Sequence, residues 1–451
     1  MPEYDTAELV RLDLAHVLHG NTNLYDYARG SGPLVIVKGE GAVLTASDGR
    51  QFIDGLAGLW NVNVGHGRKE IAEAVAAQVE SLAYVPGIFG LTSVPTTLVA
   101  AKLAQITPEP ISRFYFACGG AEANEAAFKI VRYYNSVQGR KDKIKIISRQ
   151  MAYHGVALST MWATGLPAYQ RHFGPAAPGI MHITGPYCYR CAFGKTYGQC
   201  DLECAKALEA TIEAEGEETV AAFIGEPVQG AGGVIVPPKE YWPIIRDICT
   251  RRGVLLIADE VITGFGRTGK YFGCEHWGLK PDLMAMAKGI TSAYAPLSAV
   301  GLSEAVFEGM AQPGNSFMHS YTYSGHPIVC AAALKNIEIL ERENLVQRAA
   351  EMGHYLNERM GELRDLPYVG EVRGLGLMVA VEPVADKKTK ARFDPKQRVG
   401  AQIQQHLRQK GVLCRASDDY VAFSPPLVIT KDQIDHMVNS LRSAFESITL
   451  N

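Results

Sequence analysis

Residues 254–261 read VLLIADEV, in which five apolar residues run without interruption into Asp259 and Glu260. An apolar run of this kind fits a strand buried on both faces, as in parallel sheets, where alternation is lost because neither face meets water. In open sheets of that type ligands bind beyond the carboxyl ends of the strands. Two acids at such an end therefore face a crevice, where a carboxylate wants a cationic partner. A helix cap or a surface acid would leave the same residues at a strand end.

The surrounding sequence repeats the pattern. KEIAEAVAAQVESL (69–82), RFYFA (113–117), AEANEAAFKIVRYYNSV (121–137), IKIIS (144–148), AAFIGEP (221–227) and YWPIIRDICTRRG (241–253) alternate helix-periodic and strand-like segments. Alternation of this sort predicts an α/β domain with a mostly parallel sheet. Residues 34–60 differ: short β-like pieces are separated by the turn signals Gly39-Glu40-Gly41 and Asp48-Gly49, which predicts hairpins. After residue 327 come one long amphipathic helix over 327–363 and strand-like pieces at 368–383 and 419–427, the pattern of a smaller α+β unit completed by the N-terminal hairpins. The stretch VADKKTKARFDP (384–395) reads as a solvated loop.

A chain of 451 residues, 47% hydrophobic, has the material for a substantial interior. The net charge is −3, from 44 basic and 47 acidic residues, which speaks against nucleic acid or an anionic membrane surface as partner. Acids early in the N-terminal segment argue against a secretory signal, and no uncharged apolar run reaches the length of a membrane span. The expectation is a cytoplasmic protein whose nine cysteines are mostly reduced.

Three features carry chemistry. PDLMAMAKGITSAYAPLSAV (281–300) holds a single amine, Lys288, in a run otherwise apolar, small or hydroxylic, apart from Asp282 near its start. Burial penalises the ammonium form and turns a lysine into a nucleophile, whereas a snorkelling surface lysine would keep its head in water. RFYFACGGAEANEAAFKIVRYY (113–134) reads as strand, glycine turn and helix starting near Ala121, a junction whose free N–H groups suit a phosphate. Its spacing matches neither the dinucleotide fingerprint nor the nucleoside-triphosphate loop. GFGRTG (264–269) has the dinucleotide spacing, but no helical period follows, so that reading is rejected.

Cys188, Cys191, Cys200 and Cys204 form a C-x2-C-x8-C-x3-C array, open to two readings: a structural zinc or iron–sulfur site, or a reduced surface excursion. His154, in AYHG, reads as a turn or packing histidine unless a cofactor lies against it. No H-E-x-x-H or G-x-S-x-G motif occurs.

A buried-strand acid, a phosphate-type helix start and an isolated amine are together what a phosphorylated pyridine aldehyde requires. The amine forms a Schiff base, the acid keeps the pyridine nitrogen protonated, and backbone donors grip the phosphate. With GLAGLWNVNVGHG, CGGAEANEAAFK, AYHG, GEPVQGAGG, LLIADEVITGFGRTG, MAKGI, HSYTYSGHP and VLCRASDDYVAFSPPL in this order, the chain resembles class III aminotransferases, and within them the ω-transaminases.

The resemblance implies fold type I, with a large α/β domain that binds pyridoxal 5′-phosphate over 69–327 and a small domain built from 1–68 and 328–451. It makes Lys288 the Schiff-base lysine and Asp259 the partner of the pyridine nitrogen. It places Tyr153 and Val261 on the two cofactor faces, Gly120 and Ala121 at the phosphate, and Glu226 near the phenolic edge, with His154 among the cofactor contacts. Thr322 corresponds to a threonine that reaches the phosphate of the neighbouring subunit, implying a homodimer or a dimer of dimers. Trp60, Phe89, Tyr153 and Tyr169 are expected to wall the substrate pocket, and Arg415 to pair with a substrate carboxylate. One departure is Ala121, where the family usually has serine.

The implied activity is ping-pong transfer of an amino group from a primary amine or ω-amino acid to pyruvate or another oxo acid. A decarboxylating or isomerising enzyme of the same fold, and a non-catalytic cofactor- or metal-binding scaffold, are the alternatives.

Overall fold

The computed structural model describes residues 4–449. Its centre is a seven-stranded sheet of β4 (Ile111–Ala117), β5 (Lys145–Arg149), β6 (Ile180–Ile183), β7 (Val220–Gly225), β8 (Leu255–Asp259), β9 (Leu283–Met286) and β10 (Ser298–Ser303), in the order β4-β10-β9-β8-β7-β5-β6. The strands from β9 through β8, β7 and β5 to β6 pair in parallel, and β10 runs antiparallel between β9 and β4. Because β10 reverses twice, β4 points the same way as the parallel strands, and its carboxyl end shares their edge. Every residue of β7, β9 and β10 is buried. Two apolar clusters cover the sheet, one including Phe223, Trp242 and Leu256, the other including Ala126, Ile130 and Ile257.

Residues 34–60 form the expected hairpins: β1 (Ile36–Glu40), β2 (Val43–Ala46) and β3 (Gln51–Asp54) pair antiparallel in sequence. The fourth strand of that sheet comes from the far end of the chain, β13 (Val412–Leu413), parallel to β3. A third sheet holds β11 (Val369–Leu375), β12 (Met378–Pro383), β15 (Val421–Phe423) and β14 (Arg415–Ala416), all antiparallel. Arg415 therefore stands where the chain leaves one sheet for the other, pinned by its register with Ala422.

The single long helix expected over 327–363 is two, Pro327–Arg342 and Leu345–Gly361. Asn344 adopts the left-handed conformation at φ 49°, which asparagine tolerates and a helix does not. The preceding Glu343 is held by Arg68 at 2.7 Å, so the break is fixed from outside. Among the described residues no helix is long and apolar enough to cross a membrane.

Candidate active site

The parallel edge assembles the site. Asp259 ends β8, Glu226 directly follows β7, Lys288 lies two residues beyond β9, and the Cys118–Ala121 turn follows β4. With Tyr153, His154 and Val261 they line one cavity of about 420 Å³, within the range of small-molecule sites. Of the two acids in VLLIADEV only Asp259 faces this cavity. Glu260 turns into the core, where its carboxylate accepts the N–H groups of Gly273 at 2.9 Å and Cys274 at 2.7 Å, and the Thr263 hydroxyl.

Lys288 sits in a short helical turn with φ 46°, a left-handed conformation that costs about 1–3 kcal/mol in a non-glycine residue and is retained where the surroundings over-determine it. Burial lowers its pKa from the ordinary lysine value, with Asp259 and Glu226 opposing the shift and Arg415 adding to it. The pocket thus holds an amine biased toward the neutral, nucleophilic form.

Asp259 is 3% exposed and held by three donors. Its Oδ2 accepts from Asn124 Nδ2 at 2.8 Å and from His154 Nδ1 at 2.7 Å, and its Oδ1 accepts the Val261 N–H at 3.0 Å. Asn124 also donates to the His154 carbonyl at 2.9 Å, tying the pair together. Hydrogen bonds to a carboxylate stabilise by about 1.5–3 kcal/mol each, and they fix the acid's orientation. Glu226 is fixed by the N–H groups of Tyr153 at 3.0 Å and Gly230 at 2.8 Å; burial raises its pKa, against the pull of His154 and Arg149.

The opening of the helix Gly120–Val137 leaves N–H groups free at the pocket, with Gly119 as its cap and no side-chain cap bond. A Cβ at 120 would lie 2.8 Å from Val261 Cγ1, so a side chain there would push Val261 out of place. Ala121 supplies no hydroxyl, so the donors at this end are backbone alone. A buried acid, a half-buried amine, a helix start and the aromatic ring of Tyr153 match the ring nitrogen, aldehyde, phosphate and face of pyridoxal 5′-phosphate. His154 Nε2 and Asn124 Oδ1 are buried polar atoms with no protein partner, as expected beside a polar ligand or water.

The remaining expected residues divide. Tyr169 packs edge-on against Tyr153, ring centroids 5.2 Å apart. Arg415 lies over the Tyr420 ring, 5.7 Å from its centroid, and bears electrostatically on both Lys288 and Tyr153. Trp60, expected as a pocket wall, is 2% exposed and packs in a cluster with Ile262, Tyr420 and Ala422; its neighbours Asn61 in sequence and Ile262 in space line the cavity. Phe89 does not line the cavity of this chain either: it lies in an irregular stretch and is 89% exposed. Thr322 is also exposed, its carbonyl accepting the Tyr84 hydroxyl at 2.6 Å.

Sequence reasoning missed Asn124 and Ile262. Asn124 was within reach: it lies four residues after Gly120 on a helix, hence on the same face as the phosphate-type N-terminus. Of the four loop cysteines, none approaches this cavity; they line a separate one.

The aminotransferase class-III family model matches residues 26–445. Diaminobutyrate–2-oxoglutarate transaminase of Halomonas elongata is 42% identical over 98% of this chain and 96% of its own. Putrescine–pyruvate aminotransferase of Pseudomonas aeruginosa is 41% identical over 94% of this chain and 92% of its own. The crystal structure of an (S)-enantioselective ω-transaminase from Thermomicrobium roseum superposes with a TM-score of 0.96, at 49% identity, covering 99% of this chain and 100% of that one. The decarboxylase, isomerase and scaffold alternatives have no counterpart among these three. Family match and site geometry agree: the chain belongs to the class III aminotransferases, fold type I enzymes that depend on pyridoxal 5′-phosphate, and it is a transaminase.

Proposed function

We propose that this transaminase moves an amino group from a primary amine or ω-amino acid to pyruvate in two half-reactions, as a cytoplasmic homodimer. The observation that carries the reading is the convergence of Lys288, Asp259 and Glu226 in one cavity, with Arg415 close enough to bear on the lysine. The relatives support the substrate classes: one is named for putrescine and pyruvate, another for a diamino acid and 2-oxoglutarate.

When bound, the cofactor supplies an aldehyde that links amines covalently and a protonated ring that absorbs the electron pair left by a departing proton. Lys288 Nζ, whose surroundings favour the uncharged form, would take the proton from the donor's amine-bearing carbon as general base and deliver it to the cofactor's aldehyde-derived carbon as general acid. Asp259 holds a proton at the ring nitrogen, and its carboxylate is oriented for this by Asn124 and His154. This interaction strengthens as charge develops, so it lowers the barrier more than it strengthens binding. Tyr153 and Val261 would hold the ring, and Gly120 and Ala121 would offer backbone N–H groups to the phosphate.

Arg415 is assigned to the acceptor's carboxylate, which a guanidinium meets with two parallel bonds. Tyr153 and Tyr169 leave an apolar, aromatic side for a donor without a carboxylate. Arg415→Ala is expected to raise KM for pyruvate by about 10- to 100-fold, the weight of one charge-assisted contact, and to alter KM for a simple amine donor by less than about threefold. Equal losses for both substrates would assign the carboxylate to another residue.

The dimer reading rests on the surface around Thr322. Ile88, Phe89, Leu91, Met318 and Tyr323 are exposed there, and the Tyr84 and Tyr323 rings meet at 6.3 Å, bringing the two segments together. Exposed apolar residues gathered in this way mark an interface. A second copy would cover them and place Phe89 and Thr322 at the neighbouring cavity. Sedimentation should give twice the chain mass, or four times it for paired dimers; a monomer that turns over amines would exclude sharing of sites.

A further inference from the structure

Arg415 and Tyr420 belong to one hairpin. Arg415 pairs with Ala422 across β14 and β15, and Tyr420 stands two residues before Ala422, so the two side chains are diagonal neighbours on one face, within reach of each other for a long chain and an aromatic ring. The turn between them fixes that register. The Ser417 N–H donates to the Tyr420 carbonyl at 2.9 Å, and the Tyr420 N–H donates to Ser417 Oγ at 3.2 Å. The 5.7 Å from the Arg415 guanidinium to the Tyr420 centroid lies within the range of a cation–π contact.

Tyr420 is itself held firmly. It is 6% exposed, its hydroxyl donates to the Ala231 carbonyl at 2.6 Å, and its ring packs so closely on Gly233 that a Cβ there would lie 2.9 Å from Tyr420 Cδ1. The ring is thereby anchored to the segment whose Gly230 N–H holds Glu226 at 2.8 Å.

The acids around this hairpin are committed elsewhere. Asp418 accepts the Gly400 N–H at 2.8 Å, Asp419 pairs with Arg392 at 2.9 Å, and Glu371 and Glu382 pair with Arg373 at 2.6 and 2.8 Å. Among the described residues, Arg415 forms no ion pair, and its guanidinium donates no hydrogen bond. A π face attracts the cation without accepting its N–H groups, so the whole fork is left for a ligand's carboxylate.

We propose that Tyr420 is a positioning residue for carboxylate recognition: its ring seats the Arg415 guanidinium, donors free, before a carboxylated acceptor arrives. This rests on the assignment of Arg415 to the acceptor's carboxylate. A seated guanidinium has already given up much of its rotamer freedom, so less ordering cost is left for binding to offset. Tyr420 thus acts on affinity for the acid, through Arg415, and not on a carbonyl compound without one.

The test compares half-saturation constants for two acceptors, using enzyme loaded with pyridoxamine 5′-phosphate. One is pyruvate; the other is acetaldehyde, which carries hydrogen where pyruvate has its carboxylate. Tyr420→Leu is expected to raise the pyruvate constant by about three- to tenfold and to move the acetaldehyde constant by less than about twofold. Tyr420→Phe, which restores the ring, should bring the pyruvate constant back to within about twofold of wild type. In an Arg415→Ala background, Tyr420→Leu should add nothing further for pyruvate. An unchanged or lowered pyruvate constant in Tyr420→Leu would overturn the proposal. So would an equal rise for both acceptors, or the same rise with Arg415 already removed. Arg415→Ala that weakens both acceptors alike would instead remove the carboxylate assignment beneath it. Should Tyr420→Leu fail to fold, a crystal structure of the wild-type holoenzyme with propionate decides: the guanidinium should meet the carboxylate while staying within about 6 Å of the Tyr420 centroid. A guanidinium that leaves the ring to bind propionate would overturn the proposal.

Discussion

Lys288→Ala is expected to lower turnover by roughly ten-thousand-fold or more while the folded chain still takes up cofactor. The substitution removes the amine that both attaches the cofactor and carries the proton. It leaves Asp259 with its three donors, Glu226 with its two backbone bonds, and the helix start at Gly120 in place. Lys288 lines the cavity and is half-buried, so its truncation leaves the core intact and the melting temperature of the apo-protein should not fall greatly. Steady-state rates, cofactor absorbance after dialysis and thermal unfolding read the three effects separately. Turnover near the wild-type rate would remove Lys288 from the chemistry.

Asp259→Asn should lower the rate by about 100- to 1000-fold, with a much smaller loss of bound cofactor, because the two side chains share a shape and differ in charge. An asparagine oxygen can still accept from Asn124 and His154. Its amide then faces the Val261 N–H, donor against donor, and no negative charge remains to hold a proton on the ring nitrogen. The cofactor's visible spectrum should shift with the lost ring charge even where occupancy is full. A rate close to wild type would show that ring protonation at this position is dispensable.

The chemical centre was legible because its signals are local. An apolar strand ending in Asp259, a lone amine in an apolar run and a glycine turn entering a helix each state a physical need within a few residues. What was not legible depends on contacts distant in sequence. The run 281–300 conceals two strands, β9 and β10, on either side of Lys288; fully buried strands carry no alternation, so periodicity does not separate them. Glu260 is indistinguishable from Asp259 until the backbone of residues 273–274 folds back to meet it.

Trp60 lies in a motif that suggested a pocket wall, and it packs against Ile262, a contact across some two hundred residues that no local pattern announces. The helix break at Asn344 adjoins Glu343, whose ion-pair partner Arg68 is far off in the chain. Phe89 and Thr322 are exposed in a single chain, and their expected roles require a second one.

The most direct test of amino transfer at Lys288 is a half-reaction followed by absorbance. Cofactor-loaded enzyme is mixed separately with 1-phenylethylamine, β-alanine, taurine and 4-aminobutyrate, and pyruvate is then added. Bleaching of the long-wavelength cofactor band by at least one donor, and its recovery with pyruvate, is the predicted result and also identifies the donor class. A band that no donor bleaches, or one that bleaches and does not return with pyruvate, would contradict amine-to-pyruvate transfer.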